Sequence, residues 1–215
     1  FIDFEFPNEN GEPYKSSGGK MVQSELGEIP EGWELHELGS IIELAYGKSL
    51  TKTNRIQGPF PVYGSNGIVD YHNQYIVEGP GIIVGRKGNP GTVNFELRSF
   101  YPIDTTFYVK RKNEQLSWIY LYFMLKNIKL ENLNSDSAVP GLNRNVVYKT
   151  KVVIPGQGYI EEFNKIIFPL YQQKYFLEEE NKKLHELRDV LLPKLLSGEI
   201  ELPEESEETE HVLVQ

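Results

Sequence analysis

The sequence feature that most constrains the fold is a stripe of leucines in the last third of the chain. Leucine recurs every seven residues at positions 170, 177, 184 and 191, and a second row alternates with it in steps of four and three. This repeat of about 3.5 residues is typical of the seam of a coiled coil. We therefore predict one long helix from Tyr159 to about Leu196. Its seam contains Phe163, Ile167, Leu170, Lys174, Leu177, Asn181, Leu184, Arg188, Leu191 and Leu195.

A helix of this length needs a partner. It would be roughly 50 Å long at about 1.5 Å per residue, which exceeds the width of a small domain. Burial of a leucine contributes ~1.5–3 kcal/mol, but only when another helix covers it. A polar seam residue such as Asn181 costs stability and fixes the register of the pair. We predict pairing with a second helix, rather than packing on the chain's own domain, through Phe163, Ile167, Leu170, Leu177, Asn181, Leu184, Leu191 and Leu195.

Composition excludes several kinds of site. The chain has no cysteine, which excludes disulfides, thiol nucleophiles and cysteine-bound zinc and fits the cytoplasmic location that we predict. No apolar run approaches the ~20 residues of a membrane span. The N-terminus also lacks the basic-then-apolar pattern of a signal peptide. We therefore expect no membrane partner.

Charge is segregated along the chain. The net charge is −9, yet residues 36–155 carry 14 Lys and Arg against 9 Asp and Glu. The acidic excess lies in the flanking segments, residues 1–35 and 156–215. A basic domain between two acidic segments is compatible with nucleic-acid binding despite the acidic total. Because such a domain can also simply balance its surroundings, charge alone does not decide the function.

Four parts of the chain are distinguished by their residue patterns, and the predicted class is α+β. Residues 1–34 are polar and turn-rich, which predicts a connector or an arm on the surface, with Trp33 as an apolar anchor. Residues 35–155 form a β-rich domain, and residues 156–198 form the long helix. Residues 199–215 are an acidic tail that we predict to be disordered.

Short β-rich runs bounded by Gly, Pro or Asn predict the strands of the middle domain. Apolar residues at helical spacing predict one short helix over Gln115–Leu130, and Asn145–Ile154 is predicted to return as a strand. The other predicted strands are Phe60–Tyr63, Gly67–Tyr71, Gly81–Val84, Thr92–Phe95 and Thr105–Val109.

The sequence contains no recognisable catalytic constellation. Gly47-Lys48-Ser49 lacks the first glycine of a phosphate-binding loop, because Ile42 stands at that position. No cofactor motif of a methyltransferase occurs, and the four histidines are scattered without metal spacing. We therefore expect a non-catalytic chain without a cofactor or metal of its own.

Polar loops of the basic domain supply the candidate binding residues. Glycines allow a close approach to phosphate, Arg and Lys neutralise phosphates or contact guanine, and Asn pairs with adenine. Four loops have this composition: residues 48–55, 63–67, 85–91 and 137–145. From them we predict DNA contacts by Lys48, Ser49, Thr51, Lys52, Asn54, Arg55, Tyr63, Ser65, Asn66, Arg86, Lys87, Asn89, Asn143, Arg144 and Asn145.

Several segments together carry a resemblance to a known family. Leu26–Trp33 introduces the β-rich domain, and Leu187–Ile200 closes the long helix. Glycine-rich loop segments lie between them at Pro61–Ile68, Gly85–Gly88 and Ala138–Arg144. In this combination the chain resembles the specificity subunit of Type I restriction-modification systems, over nearly its whole length.

The resemblance implies a target recognition domain for double-stranded DNA, followed by a coiled-coil helix. An intact subunit of that family carries two recognition domains and two antiparallel helices, whereas this chain has one of each. The resemblance therefore implies a C-terminal half or a half-length subunit. Such a chain would pair through its helix with the missing N-terminal half or with a second copy of itself.

The resemblance also implies a division of labour between subunits. The domain would recognise one half of a bipartite site, and the paired helices would set the distance between the halves. Modification subunits carrying S-adenosylmethionine for adenine N6 methylation, and a motor-nuclease subunit for cleavage, would supply the chemistry.

A second function class remains open on the residues alone. It is a non-catalytic β-rich module that binds protein or glycan on a coiled-coil stalk, with Tyr63, Tyr71 and Tyr75 as stacking platforms. This alternative predicts no salt-dependent binding to DNA.

Overall fold

The computed structural model describes residues 2–133 and 141–201. The chain divides into two compact units, of which the first ends at Ile167 and the second begins at Phe168. In chain order the elements are β1 Met21–Ser24, β2 Gly27–Pro30, β3 Glu34–Glu37, α1 Leu38–Ile41, β4 Ile42–Tyr46, β5 Phe60–Gly64, β6 Gly67–His72, β7 Gly81–Gly85, β8 Val93–Glu96, β9 Tyr101–Pro102, β10 Thr106–Arg111, α2 Trp118–Ile128, α3 Arg144–Lys149, β11 Lys151–Ile154 and α4 Gln157–Leu196.

The core of the first unit is a four-stranded antiparallel sheet in the order β4-β10-β7-β8. Strand β7 is buried along its whole length, as its unbroken apolar run Ile82-Ile83-Val84 requires. Helix α2 lies against β7 and β8, and the ring of Tyr122 stacks 5.6 Å from that of Phe95. The α+β class is confirmed.

A second sheet holds one of the turns that the sequence analysis predicts to contact DNA. Its order is β6-β5-β9, with β5 and β6 joined as an antiparallel hairpin and β9 parallel to β5. The turn at Ser65 and Asn66 therefore projects from the end of this hairpin. Lys52–Asn54 and Leu130–Leu133 are short 3₁₀ turns.

The N-terminal segment is ordered against the first unit. Phe6 is only 1% exposed and forms a buried cluster with Ile29 and Trp33. The ring of Phe6 stacks 5.2 Å from Trp33 and lies 4.6 Å from Tyr159 at the start of α4. Phe6, Ile29 and Trp33 thus anchor this segment in a buried cluster, while most of its other residues are half-buried or exposed.

One predicted strand is wrong in its first half. Within the predicted strand Asn145–Ile154, only β11 is extended, pairing with β3, whereas Arg144–Lys149 is the helix α3. The Asn143 side chain accepts a hydrogen bond of 2.9 Å from the backbone of Asn145. This N-cap satisfies a free amide at the helix start, and it outweighs the β-preference of the two valines that follow.

The long helix is present and has two different environments. In the first unit Ile160 and Phe163 are buried. Phe163 packs 5.6 Å from the ring of Tyr120 and 5.9 Å from that of Phe123, so its assignment to the pairing seam is wrong. An aromatic side chain already covered by α2 has no apolar surface left for a partner helix.

From Phe168 onward three seam leucines are exposed and two are half-buried. Leu170, Leu177 and Leu184 are 58%, 51% and 56% exposed, and Asn181 is exposed between them. Ile167, Leu191 and Leu195 are half-buried. Among the described residues no helix combines the length and apolarity needed to cross a membrane. The disorder predicted for the acidic tail, residues 199–215, stays a prediction, because residues 202–215 lie outside the described residues.

Candidate nucleic-acid interface

Two of the predicted loops are joined by side-chain hydrogen bonds. The amide nitrogen of Asn89 donates to Oδ1 of Asn66, which links the 85–91 loop to the β5–β6 turn. The hydroxyl of Thr92 donates to the carbonyl of Ser65 over 2.5 Å. The turn and the loop therefore form one polar surface, although more than 20 residues separate them in the sequence.

A third loop joins the same surface through its backbone. The amide of Leu142 donates to the carbonyl of Arg86 over 3.0 Å, and Lys87 forms a β-bridge with Gly141. The amides of Arg86 and Lys87 both donate to the carbonyl of Thr105, at 2.9 and 3.1 Å. We call residues 64–67, 85–91 and 141–145 the three-loop surface. The predicted loop residues 137–140 lie outside the described residues.

Glycines make this convergence possible. A Cβ on Gly85 would lie 2.1 Å from the carbonyl oxygen of Asn89, inside the loop itself. Gly91 has φ of +87°, and a Cβ there would lie 2.2 Å from the backbone nitrogen of Glu131. Only glycine tolerates both the left-handed backbone and this approach. The loop is thereby pressed against the 3₁₀ turn that follows α2.

Two arginines of the three-loop surface share one aromatic ring that the sequence analysis missed. The guanidinium carbons of Arg86 and Arg144 lie 5.1 and 4.5 Å from the ring centroid of Tyr46, which is 50% exposed. Each also lies 6.0 Å from the buried ring of Phe107. At exposed sites such cation–π contacts contribute about 0.5–1 kcal/mol each. Tyr46 ends strand β4 directly before a basic loop, which is the one sequence signal of its role.

Two clefts flank these contacts. The cleft around Tyr46, with a volume of 390 Å³, lies between β4, the 85–91 loop and the start of α3. The second cleft, with a volume of 670 Å³, lies between the β5–β6 turn and the end of α2. The second cleft brings together Ser65, Asn66 and Asn89 with Asn94, Lys126 and Glu131, of which the last three were not predicted. Exposed Asn145 and the helix cap Asn143 line the Tyr46 cleft.

The fourth predicted loop is exposed but is held differently. Lys48, Ser49, Thr51, Lys52 and Asn54 are exposed to solvent directly after Tyr46. Their availability for DNA contacts stays a prediction, because the hydrogen bonds of the described residues do not link their side chains to the three-loop surface.

Arg55, at the end of that loop, is already neutralised. Its guanidinium donates to Asp70 over 3.2 Å and to the carbonyl of Leu50 over 3.4 Å. The hydrogen bond from the backbone amide of Tyr71 is the main cause that lowers the pKa of Asp70, and the hydrogen bond from Arg55 is the second cause. The carboxylate therefore stays charged. Arg55 therefore anchors the loop to β6 and is a weaker candidate for a phosphate contact.

Tyr63 does not belong to the interface. Its side chain is 5% exposed, packs 5.8 Å from the ring of Phe100, and donates a hydrogen bond of 2.9 Å to the buried carboxylate of Glu96. The same carboxylate accepts from the backbone and guanidinium of Arg98 at 2.9–3.2 Å. Tyr63 is therefore a core residue that satisfies a buried charge, and the sequence-based assignment to the surface is wrong for this side chain.

The described residues contain no cluster of side chains that could hold a metal ion. Across residues 2–133 and 141–201, no three His, Asp or Glu side chains cluster so that they could hold a metal ion. The chemistry that the three-loop surface offers is that of guanidinium, ammonium and amide groups, which suit phosphates and base edges.

Comparison with known proteins identifies relatives of similar sequence and fold. The chain is 26% identical over 206 residues to the Type I restriction enzyme HindI specificity subunit of Haemophilus influenzae, covering 80% of this chain and 42% of that protein. It is 23% identical over 236 residues to the MjaIX specificity subunit of Methanocaldococcus jannaschii, covering 95% and 51%. The chain thus spans about half the length of these relatives.

A solved structure and a family model both match this chain. The crystal structure of a Type I restriction-modification system S subunit from M. genitalium superposes with a TM-score of 0.61 at 17% identity, over 77% of this chain and 46% of that one. Residues 30–186 match the family described as the Type I restriction modification DNA specificity domain. This match covers well over half of the chain, and the chain belongs to that family.

Proposed function

We propose that this chain recognises a base sequence in double-stranded DNA, as a specificity component of a Type I restriction-modification complex. The observation that carries the proposal is the three-loop surface, where loops distant in sequence converge. Its cations, Arg86, Lys87 and Arg144, suit phosphates, and the neighbouring Asn66 and Asn89 suit base edges. Family membership supports the proposal independently.

The two asparagines are the candidate base-contacting pair. Their mutual hydrogen bond uses the amide nitrogen of Asn89 and the carbonyl oxygen of Asn66. It leaves the amide nitrogen of Asn66 as a donor and the carbonyl oxygen of Asn89 as an acceptor. Adenine offers a complementary acceptor and donor in the major groove, at N7 and N6. A pair already joined to each other also loses less freedom on binding than two separate side chains.

Enrichment from a pool of duplexes with a randomised centre tests this function. We expect the chain to enrich one short motif, with an affinity that falls as salt rises, by a slope of about −0.9 per phosphate contact. Asn66→Ala with Asn89→Ala should erase the preference at one or two positions of the motif. Asn10→Ala, an exposed asparagine in the N-terminal segment, is the matched control and should leave the motif unchanged. Absence of any enriched motif and of salt dependence would favour a protein- or glycan-binding module instead.

The exposed helix supports a spacing and docking role. We propose that the seam of α4 pairs with a second helix, from another copy of this chain or from the other half of a longer subunit. The pair would hold two recognition units about one or two duplex turns apart, at ~34 Å per turn, so that each contacts half of a bipartite site. Exposed Leu187, Val190 and Leu192 lie off the seam and would remain available to another subunit.

The chain itself is proposed to be non-catalytic. Modification subunits that carry S-adenosylmethionine, and a motor-nuclease subunit, would perform adenine methylation and cleavage after docking. In this assignment the chain holds no cofactor of its own and selects the position on the duplex at which its partners act.

A further inference from the structure

The Tyr46 cleft concentrates positive charge without a described counter-charge. Three cations, Arg86, Lys87 and Arg144, line it, and no carboxylate is among the described residues that form its wall. Two of the three are half-buried, so water screens their mutual repulsion less well than on an open surface. Such an arrangement is completed by a negatively charged ligand.

Two other half-buried arginines of the same unit are paired with carboxylates, whereas a third, Arg111, lies 4.5 Å from the ring centroid of Trp118 and donates to the carbonyl of Leu116 over 2.9 Å. Arg55 is paired with Asp70 at 3.2 Å, and Arg98 is paired with Glu96 at 3.1 Å. Arg86 and Arg144 instead lie against the faces of Tyr46 and Phe107, which hold the guanidinium groups without neutralising them. Arg86 and Arg144 differ from the other half-buried arginines because they line one cleft together, with no carboxylate among the described residues of its wall.

Contacts within the fold hold the guanidinium group of Arg144 and the backbone of Arg86. Arg144 donates from Nη1 to the carbonyl of Leu44 over 3.1 Å while it covers the Tyr46 ring. The carbonyl of Arg86 accepts from the amide of Leu142, which ties its backbone to the start of α3. Because both side chains lie along the wall of a cleft, they suit a group that projects into it.

We propose that the Tyr46 cleft binds a phosphate of the DNA backbone and does not contact base edges, an inference that rests on the function proposed above. A phosphate projects from the duplex and can enter the cleft, whereas contact with a base edge in a groove requires a projecting side chain. Base contacts then fall to the exposed Asn66 and Asn89 beside the second cleft. The arginines set affinity and register, and the asparagines set sequence preference.

The test uses the full chain with Arg86→Gln and Arg144→Gln combined, and measures the enriched motif, the affinity and its salt slope. We expect an unchanged motif, affinity weakened about tenfold at ~0.1 M salt for each phosphate that the variant no longer binds, and a slope reduced in magnitude by about 1–2. Ethylation of one or two adjacent phosphates should weaken the wild type and no longer affect the variant. Lys15→Gln with Lys20→Gln removes the same charge from exposed positions of the N-terminal segment and should change none of these values.

A conservative variant keeps the test decisive if the glutamines disturb folding. Arg86→Lys with Arg144→Lys retains the charge, and lysine binds phosphate as a point charge but loses the bidentate contact to guanine. We expect it to keep the motif and most of the salt slope. Loss of preference for a guanine in either double variant would make the cleft a base-contacting site and overturn the proposal.

Two further results would also overturn it. One is an unchanged affinity and slope in the glutamine variant while the wild type still enriches a motif, in which case the function stands and the cleft assignment fails. The other is saturable binding of inorganic phosphate in the cleft, abolished by the glutamine variant, that leaves the affinity of the wild type for the duplex unchanged, which would assign the cleft to a free anion. Failure of the wild type to enrich any motif would instead remove the proposed function itself.

Discussion

Replacement of Leu177 by Asp tests the pairing of the long helix. Leu170, Leu177 and Leu184 are 51–58% exposed, so about half of each side chain is still open to water. Full burial of a leucine is worth ~1.5–3 kcal/mol, and covering the remaining half therefore contributes about 1 kcal/mol per leucine. In a symmetric pair of helices, Leu177→Asp removes the burial energy of two leucines and places two carboxylates in an apolar seam. The loss is at least about 3 kcal/mol, which is about 100-fold in the dissociation constant.

Sedimentation equilibrium over a range of concentrations measures this change. The wild-type chain should self-associate reversibly, and the Leu177→Asp variant should be monomeric at concentrations where the wild type is paired. Phe176→Asp is the matched control, because Phe176 is 66% exposed and adjacent in sequence but lies off the seam. A wild type that stays monomeric throughout, or equal weakening by both variants, would refute pairing of two copies through this seam.

Three predictions concern the first unit, each measured by denaturant or thermal unfolding. Tyr63→Phe removes one hydrogen bond to the buried Glu96 carboxylate and should lower the free energy of unfolding by about 1.5–3 kcal/mol. The affinity of the folded protein for DNA should stay unchanged. A loss of stability below about 0.5 kcal/mol would contradict the assignment of Tyr63 to the core. Gly91→Ala should cost at least about 2 kcal/mol, from the left-handed backbone and the close approach to Glu131, and a neutral result would exclude that approach. Burial raises the pKa of Tyr120, so the unfolded chain ionises first and stability should fall as pH rises above about 10. Tyr120→Phe should make this alkaline loss shallower, and an identical slope would argue against a buried phenol.

The architecture follows largely from local patterns that the sequence displays. Five strands bounded by Gly, Pro or Asn, β5 to β8 and β10, were predicted within a few residues, because turn chemistry and β-branched runs determine them locally. Strands β1 to β4 and β9 were not predicted. The heptad repeat predicted a helix from Tyr159 to about Leu196, and the observed helix is Gln157–Leu196. The error at Arg144–Lys149 arose because one side-chain cap at Asn143 reversed the preference of a short β-branched run.

The composition of the candidate site was more predictable than its geometry. Glycine-rich basic loops were recognisable as binding loops, but their convergence depends on long-range pairs such as Asn66 with Asn89. Tyr46 was missed because its partners Arg86 and Arg144 are distant in sequence, so no local pattern shows the contacts. Tyr63 was wrongly assigned to the DNA interface and Phe163 to the pairing seam. Their partners, Glu96 and Tyr120, are distant in sequence, so no local pattern shows that the two side chains are buried.

Mapping of adenine methylation in cells that carry the complete system, with wild-type chain or with Asn66→Ala and Asn89→Ala, tests the central claim most directly. We expect wild-type cells to show methylation at one bipartite motif. The variant should change or relax the bases of one half of that motif and leave the other half as it was. An identical motif with both chains, or methylation that does not depend on this chain, would contradict recognition by the three-loop surface.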